Sequence, residues 1–303
     1  MTVLEIKNLT KMYGNKAAVD NVTLSIQKGD IYGLIGQNGA GKTTLMRMIT
    51  SLASPTSGSI YIFGESEPSK INAARSRMSA IIEMPALYPN LTAHQNLEYY
   101  RIQRGIPDKS IVMKTLEFVG LTDTGNKKFK NFSLGMKQRL GLALAILNNP
   151  DFIILDEPIN GLDPMGIVEI RNLIQTLSKK GITILLSSHI LTELSLVATK
   201  FAFLHGGKLI KNLTHAELQE ECKRALSIIV DDASKAAGIL ETALNVKSYK
   251  QTSPTELRVY EQLDKAAEIN QQLSVAGVRV SSMHEVGDSL EDYFTNIIGG
   301  VSK

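Results

Sequence analysis

The residues best suited to chemistry are Gly36-Gln37-Asn38-Gly39-Ala40-Gly41-Lys42-Thr43, a G-x-x-x-x-G-K-T run. Glycines reach backbone conformations closed to other residues and let main-chain N–H groups approach phosphate oxygens closely. Lys42 brings a full positive charge to β- and γ-phosphates, Thr43 offers a hydroxyl to Mg2+, and Thr44 carries the phosphate-contacting set into the next helix. Farther on, Phe152-Ile153-Ile154-Leu155-Asp156-Glu157 is an apolar run ending in two carboxylates. Asp156 is placed to hold Mg2+ through its water shell, and Glu157, pointing elsewhere, to polarise an attacking water. A second apolar run, Ile182–Ser188, leads to His189, whose side chain can reach a γ-phosphate over the carboxyl ends of a sheet. Alone, the carboxylate pair reads equally well as a solvated strand end, and the histidine reads better as structural. Beside the glycine loop they read as a catalytic set, Glu157, His189 and Lys42.

The elements that must hold these residues are legible in the pattern. Val3–Leu9 and Val22–Gln27 alternate with a period near two, and Ile31–Ile35 is a short apolar run feeding the loop. Thr43–Thr50 has helical character, so the order is strand, loop, helix. Residues 90–148 turn helical, and then Phe152–Leu155 and Ile182–Ser187 return to uninterrupted apolar runs, as buried parallel strands do. Between those runs Met165–Lys180 is an amphipathic crossover helix, with Gly181 at its C-cap. These features predict an α/β domain over residues 1–215 with a helical subdomain at about 90–148. Residues 216–303 predict a small α+β accessory domain. There, strands at Ala225–Val230, Val246–Gln251, Glu256–Tyr260 and Val278–Met283 alternate with helices at Ser234–Leu244 and Lys265–Ala276, before a last helix around Leu290–Ile298. The order β-α-β-β-α-β points to a ferredoxin-like module.

Composition sets outer limits. The 303 residues are 43% hydrophobic and 21% charged, ordinary for a globular protein, and the net charge of +3 is no nucleic-acid footprint. A single cysteine, Cys222, excludes an intramolecular disulfide and fits a reducing compartment. The first residues show no signal-peptide pattern, and the apolar runs fall far short of the roughly 20 residues a membrane-spanning helix needs. The expectation is a chain on the cytoplasmic face of the membrane, attached through partners.

In order, the motifs resemble the ABC ATPase family over residues 1–215. Asn131-Phe132-Ser133-Leu134-Gly135-Met136-Lys137-Gln138-Arg139 is similar to its signature segment, whose core usually reads L-S-G-G-Q. Glu157-Pro158-Ile159-Asn160-Gly161-Leu162-Asp163-Pro164 resembles the D-loop, and Tyr13, 23 residues before the phosphate loop, stands where the family has its adenine-stacking aromatic. The resemblance implies a P-loop NTPase fold, ATP and Mg2+ as cofactors, and a homodimer. In such a dimer Ser133 and Gly135 of one subunit meet the γ-phosphate held by the other. Two segments depart from the pattern. Leu134 and Met136 replace a glycine and a glutamine of the signature, and Glu83, in Ile82-Glu83-Met84-Pro85, replaces the Q-loop glutamine and puts a carboxylate near the metal. Glu83 and Pro85-Ala86-Leu87-Tyr88-Pro89-Asn90-Leu91-Thr92 most resemble bacitracin and lantibiotic self-protection exporters. That likeness implies separate transmembrane permease subunits and export of a peptide antibiotic or similar amphipathic compound, with no nucleic-acid partner.

Two other readings compete. A soluble ABC-type ATPase acting on ribosomes or DNA usually carries two ATPase domains or a long coiled-coil insertion, and neither is present. A P-loop kinase or GTPase has no use for the signature segment and the D-loop.

Overall fold

Strand β3 (Ile31–Ile35) is buried at every residue, and it sits inside a six-stranded sheet for which its unbroken apolar sequence is suited. The computed structural model describes residues 1–287 and 290–301. Preceding β3, β1 (Thr2–Tyr13) and β2 (Lys16–Gln27) form an antiparallel pair, and β4 (Ser57–Ile62) adds to β1 in a three-stranded sheet ordered β2-β1-β4. The six-stranded sheet takes β5 (Met78–Ile81), β6 (Phe152–Leu155), β7 (Thr183–Ser188), β3, β8 (Lys200–His205) and β9 (Lys208–Thr214) in that spatial order. Its pairings are parallel except β8 with β9. The carboxyl ends of β3, β6 and β7 therefore point the same way, which brings the residues just after them together.

Helices α1 (Lys42–Ile49) and α2 (Pro68–Arg75) pack with both sheets around a core of Leu4, Ile6, Leu34, Met46 and Ile154. A second core joins α3 (Ala93–Gln103), α4 (Ser110–Phe118) and α5 (Leu134–Ile146) through Leu97, Val112, Leu116, Leu140 and Leu144. Caps fix where these helices start. Thr92 and Gln95 form a reciprocal capping box on α3, and the Ser133 hydroxyl accepts the Met136 N–H at the head of α5. Asp163 caps α6 (Pro164–Lys179), whose first residue is a proline preset for that position. The short α7 (Leu191–Ser195) packs Leu194 so close to Gly33 that a side chain there would meet Leu194 Cδ2 at 3.2 Å.

The chain divides into two compact units, Met1–His215 and Ala216–Lys303, the division falling at the first residue of α8 (His215–Glu221). The second unit holds β10 (Ala225–Val230), α9 (Ala233–Leu244), β11 (Tyr249–Ser253), β12 (Glu256–Val259), α10 (Ala266–Val275), β13 (Val280–Val286) and α11 (Leu290–Val301). Its strands pair antiparallel in the order β11-β12-β10-β13, the interleaved arrangement of ferredoxin-like modules. Leu226 and Ile228 of β10 pack on Ala236 and Leu240 of α9 and on Ile269 and Leu273 of α10.

Several boundaries differ from the sequence reading, among them the start of β2, at Lys16 and not Val22. Strand β1 runs on to Tyr13 because irregularities near Asn8 and Thr10 absorb the breaks in alternation. Val246 belongs to the helix stop, not to a strand. Asn245 adopts a left-handed φ of 50°, and the Val246 N–H returns to the Leu240 carbonyl, so β11 starts only at Tyr249. The last strand begins later, at Val280, and continues to Val286. Among the described residues no helix is long and apolar enough to cross a membrane.

Candidate functional site

The glycine loop leaves the end of β3 and enters α1. Glycine is required at two of its positions. A Cβ on Gly41 would stand 2.4 Å from the Ala18 carbonyl, at a φ of 106°, and one on Gly36 would stand 2.6 Å from the Leu204 carbonyl. No side chain caps the N-terminus of α1, so its N–H groups stay available to an anion. Gln37, Asn38, Gly39, Ala40, Gly41, Lys42, Thr43 and Thr44 line a cavity of about 190 Å3, which Ala18 and Glu157 complete. A roomier hollow of about 440 Å3, near Met48 and Arg75, contains none of these groups, so volume alone does not locate the chemistry.

Lys42 is only 6% exposed, and its ammonium donates to the Gly36 carbonyl at 2.6 Å. It also lies 3.1 Å from Glu157 Oε1. That oxygen is buried yet accepts no well-aligned hydrogen bond, which leaves it open to a further donor. Thr43 donates its hydroxyl to Asp156 Oδ2 at 2.8 Å, which joins the loop to the end of β6. Asp156 is 5% exposed, and its other oxygen accepts from Ser187 Oγ at 2.6 Å. Ser187 in turn accepts the Glu157 N–H at 2.8 Å. Glu157 adopts a left-handed φ of 49°, a conformation that costs a non-glycine residue about 1 kcal/mol or more. The turn sends its carboxylate away from that of Asp156 and toward the cavity, where Oε2 sits 2.9 Å from His189 Nδ1.

Lys42, Thr43, Asp156, Glu157 and His189 thus converge at three parallel strand ends. The set fits a nucleotide with its cation. Backbone N–H groups and Lys42 face the phosphates, and Thr43 and Asp156 present hard oxygen ligands. Among the described residues no group of three His, Cys, Asp or Glu forms a ready metal cage. Such a site suits Mg2+, which takes one or two protein oxygens and shares the phosphates.

The remaining predicted residues lie apart from this cluster. Tyr13, at the hairpin end of β1, is half exposed, with Lys11 Nζ 5.1 Å from its ring centroid. Ser133 and Gly135 line a different hollow of about 260 Å3 with Leu134, Gly161 and Leu162, and no residue of one chain lines both. Leu134 packs on the D-loop, where a Cβ at Gly161 would meet its Cδ2 at 3.2 Å. The Glu83 carboxylate, predicted near the metal, is ion-paired with Arg47 and bonds neither Thr43 nor Asp156. Sequence reasoning passed over Ser187, which takes part in the cluster, and Arg47, which holds Glu83 outside it. The available signal for Ser187 was a pair of serines closing an otherwise apolar buried strand, since a buried hydroxyl needs partners.

Comparison with known proteins agrees with this architecture. The ABC transporter family profile matches residues 19–160. The bacitracin transport ATP-binding protein BcrA of Enterococcus faecalis is 42% identical over 98% of this chain and 97% of its own. The lantibiotic transport ATP-binding protein SrtF of Streptococcus pyogenes is 45% identical over 69% of this chain and 89% of its own. A dimeric ATP-binding cassette solved in a post-hydrolysis state with ADP and Pi superposes with a TM-score of 0.63 at 26% identity, covering 70% of this chain and 98% of that one. With its loop, its strand-end carboxylates and a full-length likeness to transport ATPases, the chain belongs to the ABC transporter family as an ATP-binding, ATP-hydrolysing subunit.

Proposed function

We propose that two copies of this chain drive a membrane exporter of peptide antibiotics or similar amphipathic compounds, through separate permease subunits at the cytoplasmic face. One observation carries the catalytic part. The contacts Thr43–Asp156–Ser187–Glu157–His189 put a loop hydroxyl, a metal-ligating carboxylate, a base and a histidine in a continuous chain beside Lys42. Lys42 releases Glu157 and turns to the β- and γ-phosphates while loop N–H groups hold the rest of the polyphosphate. Bound between Thr43 and Asp156, Mg2+ would neutralise phosphate charge and orient the terminal phosphoryl group. Glu157 then orients a water in line with that phosphorus and accepts its proton. His189 holds the carboxylate in place and reaches the γ-phosphate. Tyr13 offers its exposed ring to the adenine.

The separation of the two hollows supports a working dimer. Ser133 and Gly135 stand at the N-terminus of α5, which suits a phosphate, yet they lie away from their own chain's loop. A second copy placed head to tail brings them over the γ-phosphate, and hydrolysis removes that contact. The dimeric state of the cassette bound to ADP and Pi supports a pairing of two copies. Permease docking is supported by an exposed aromatic pair, Tyr88 stacking edge-on with Tyr99 at 4.7 Å. The antibiotic cargo rests on likeness to BcrA, which extends through the second unit. We assign that unit to widening the dimer interface. Co-purifying the chain with its permease and testing which peptide antibiotics the pair protects cells against checks the assignment. Protection that is equal with and without Glu157→Gln refutes it.

A further inference from the structure

Arg47 and Glu83 take no part in the chain of contacts above, yet they are bound to each other beside it. Arg47 lies four residues beyond Thr43 on α1, a spacing that sets the two side chains on one helix face, about 6 Å apart along the axis. Its guanidinium holds the Glu83 carboxylate. Glu83 has a left-handed φ of 64°, and the backbone N–H groups of Glu83 and Met84 bond to no other described residue. Between Ile82, which packs on the core, and Pro85, which packs against Gly141, the polar tie of Glu83 is its side chain. An exposed ion pair of this kind holds by only about 0.2–1 kcal/mol, weak enough for a divalent cation to displace it.

The charges call for such a tie. Swung toward Thr43, Glu83 would add a negative charge to a site that already carries Asp156 and Glu157 and must accept a polyphosphate. Left free in the absence of metal, it repels that anion. Paired with Arg47, it does not. We propose that Arg47 is a positioning residue that competes with the nucleotide's metal ion for Glu83. It parks the carboxylate outside the metal sphere in the nucleotide-free chain and yields it when the metal–nucleotide enters. This rests on the assignment of Thr43 and Asp156 to the metal.

The test titrates Mn2+, followed by its EPR signal, into the full-length chain with a non-hydrolysable ATP analogue. Arg47→Gln is compared in two backgrounds, with Glu83 intact and with Glu83→Gln. With Glu83 intact, Arg47→Gln tightens Mn2+ binding by about 1.5- to 5-fold, the inverse of losing one exposed ion pair. In the Glu83→Gln background it changes nothing, because the competitor is gone. An equal gain in both backgrounds makes Arg47 a distant charge and overturns the proposal, as does no gain in either. If the wild-type chain fails to bind the Mn2+–analogue complex at all, the nucleotide reading itself falls, and the proposal with it.

Discussion

Replacing Glu157 with glutamine keeps the shape of the side chain and removes its charge, with two consequences of opposite sign. The base is lost, and a positioned general base is worth roughly 10²–10⁴ in rate, or about 2.7–5.4 kcal/mol of barrier. Meanwhile Lys42 is freed from a partner 3.1 Å away. At an effective dielectric constant of about 20 the bare attraction is about 5 kcal/mol, most of it offset by desolvation of both groups. The remainder no longer competes with phosphate, so nucleotide affinity rises several-fold while turnover collapses. The glutamine oxygen can still meet His189, so neither effect comes from disorder around the turn. Phosphate release measured under saturating ATP gives the first quantity, and titration with a fluorescent ATP analogue gives the second. Turnover within threefold of wild type refutes the assignment of Glu157 as base. Unchanged affinity with abolished turnover refutes the competition between Glu157 and phosphate for Lys42.

Other outcomes follow from the same contacts. Lys42→Ala weakens nucleotide binding roughly 10- to 100-fold, the worth of a charge-assisted hydrogen bond to phosphate, as the same titration reads. Ser187→Ala strands an Asp156 oxygen and the Glu157 N–H, costing about 1–3 kcal/mol in urea unfolding and lowering turnover more than affinity. Removing residues 216–303 leaves monomeric ATP affinity intact but weakens nucleotide-dependent dimerisation in light scattering; unchanged dimerisation refutes the role assigned to the second unit.

Much of the site was legible because its signals are local. The loop glycines, Lys42 and Thr43 sit in one octet, and the acids follow a run too apolar to be anything but a buried strand. What escaped depends on pairs distant in sequence. Ser187 joins Asp156 from 31 residues away, and nothing in its neighbourhood names that partner. Glu83 was drawn toward the metal by its place in the motif, and the pairing of its carboxylate with Arg47, 36 residues away on α1, is a contact the motif does not name. In the second unit the order of strands and helices could be read from periodicity, but the left-handed Asn245 that ends α9 delays β11, and asparagine in a turn does not announce which φ it takes.

The central claim is that nucleotide is enclosed between the Lys42 loop of one copy and the Ser133 helix start of another. A crystal structure of the Glu157→Gln chain with MgATP tests it most directly. The account predicts a two-fold dimer with Ser133 Oγ within hydrogen-bond distance of the γ-phosphate bound to the other copy. A γ-phosphate contacted only by residues of its own chain, with Ser133 facing solvent, contradicts it.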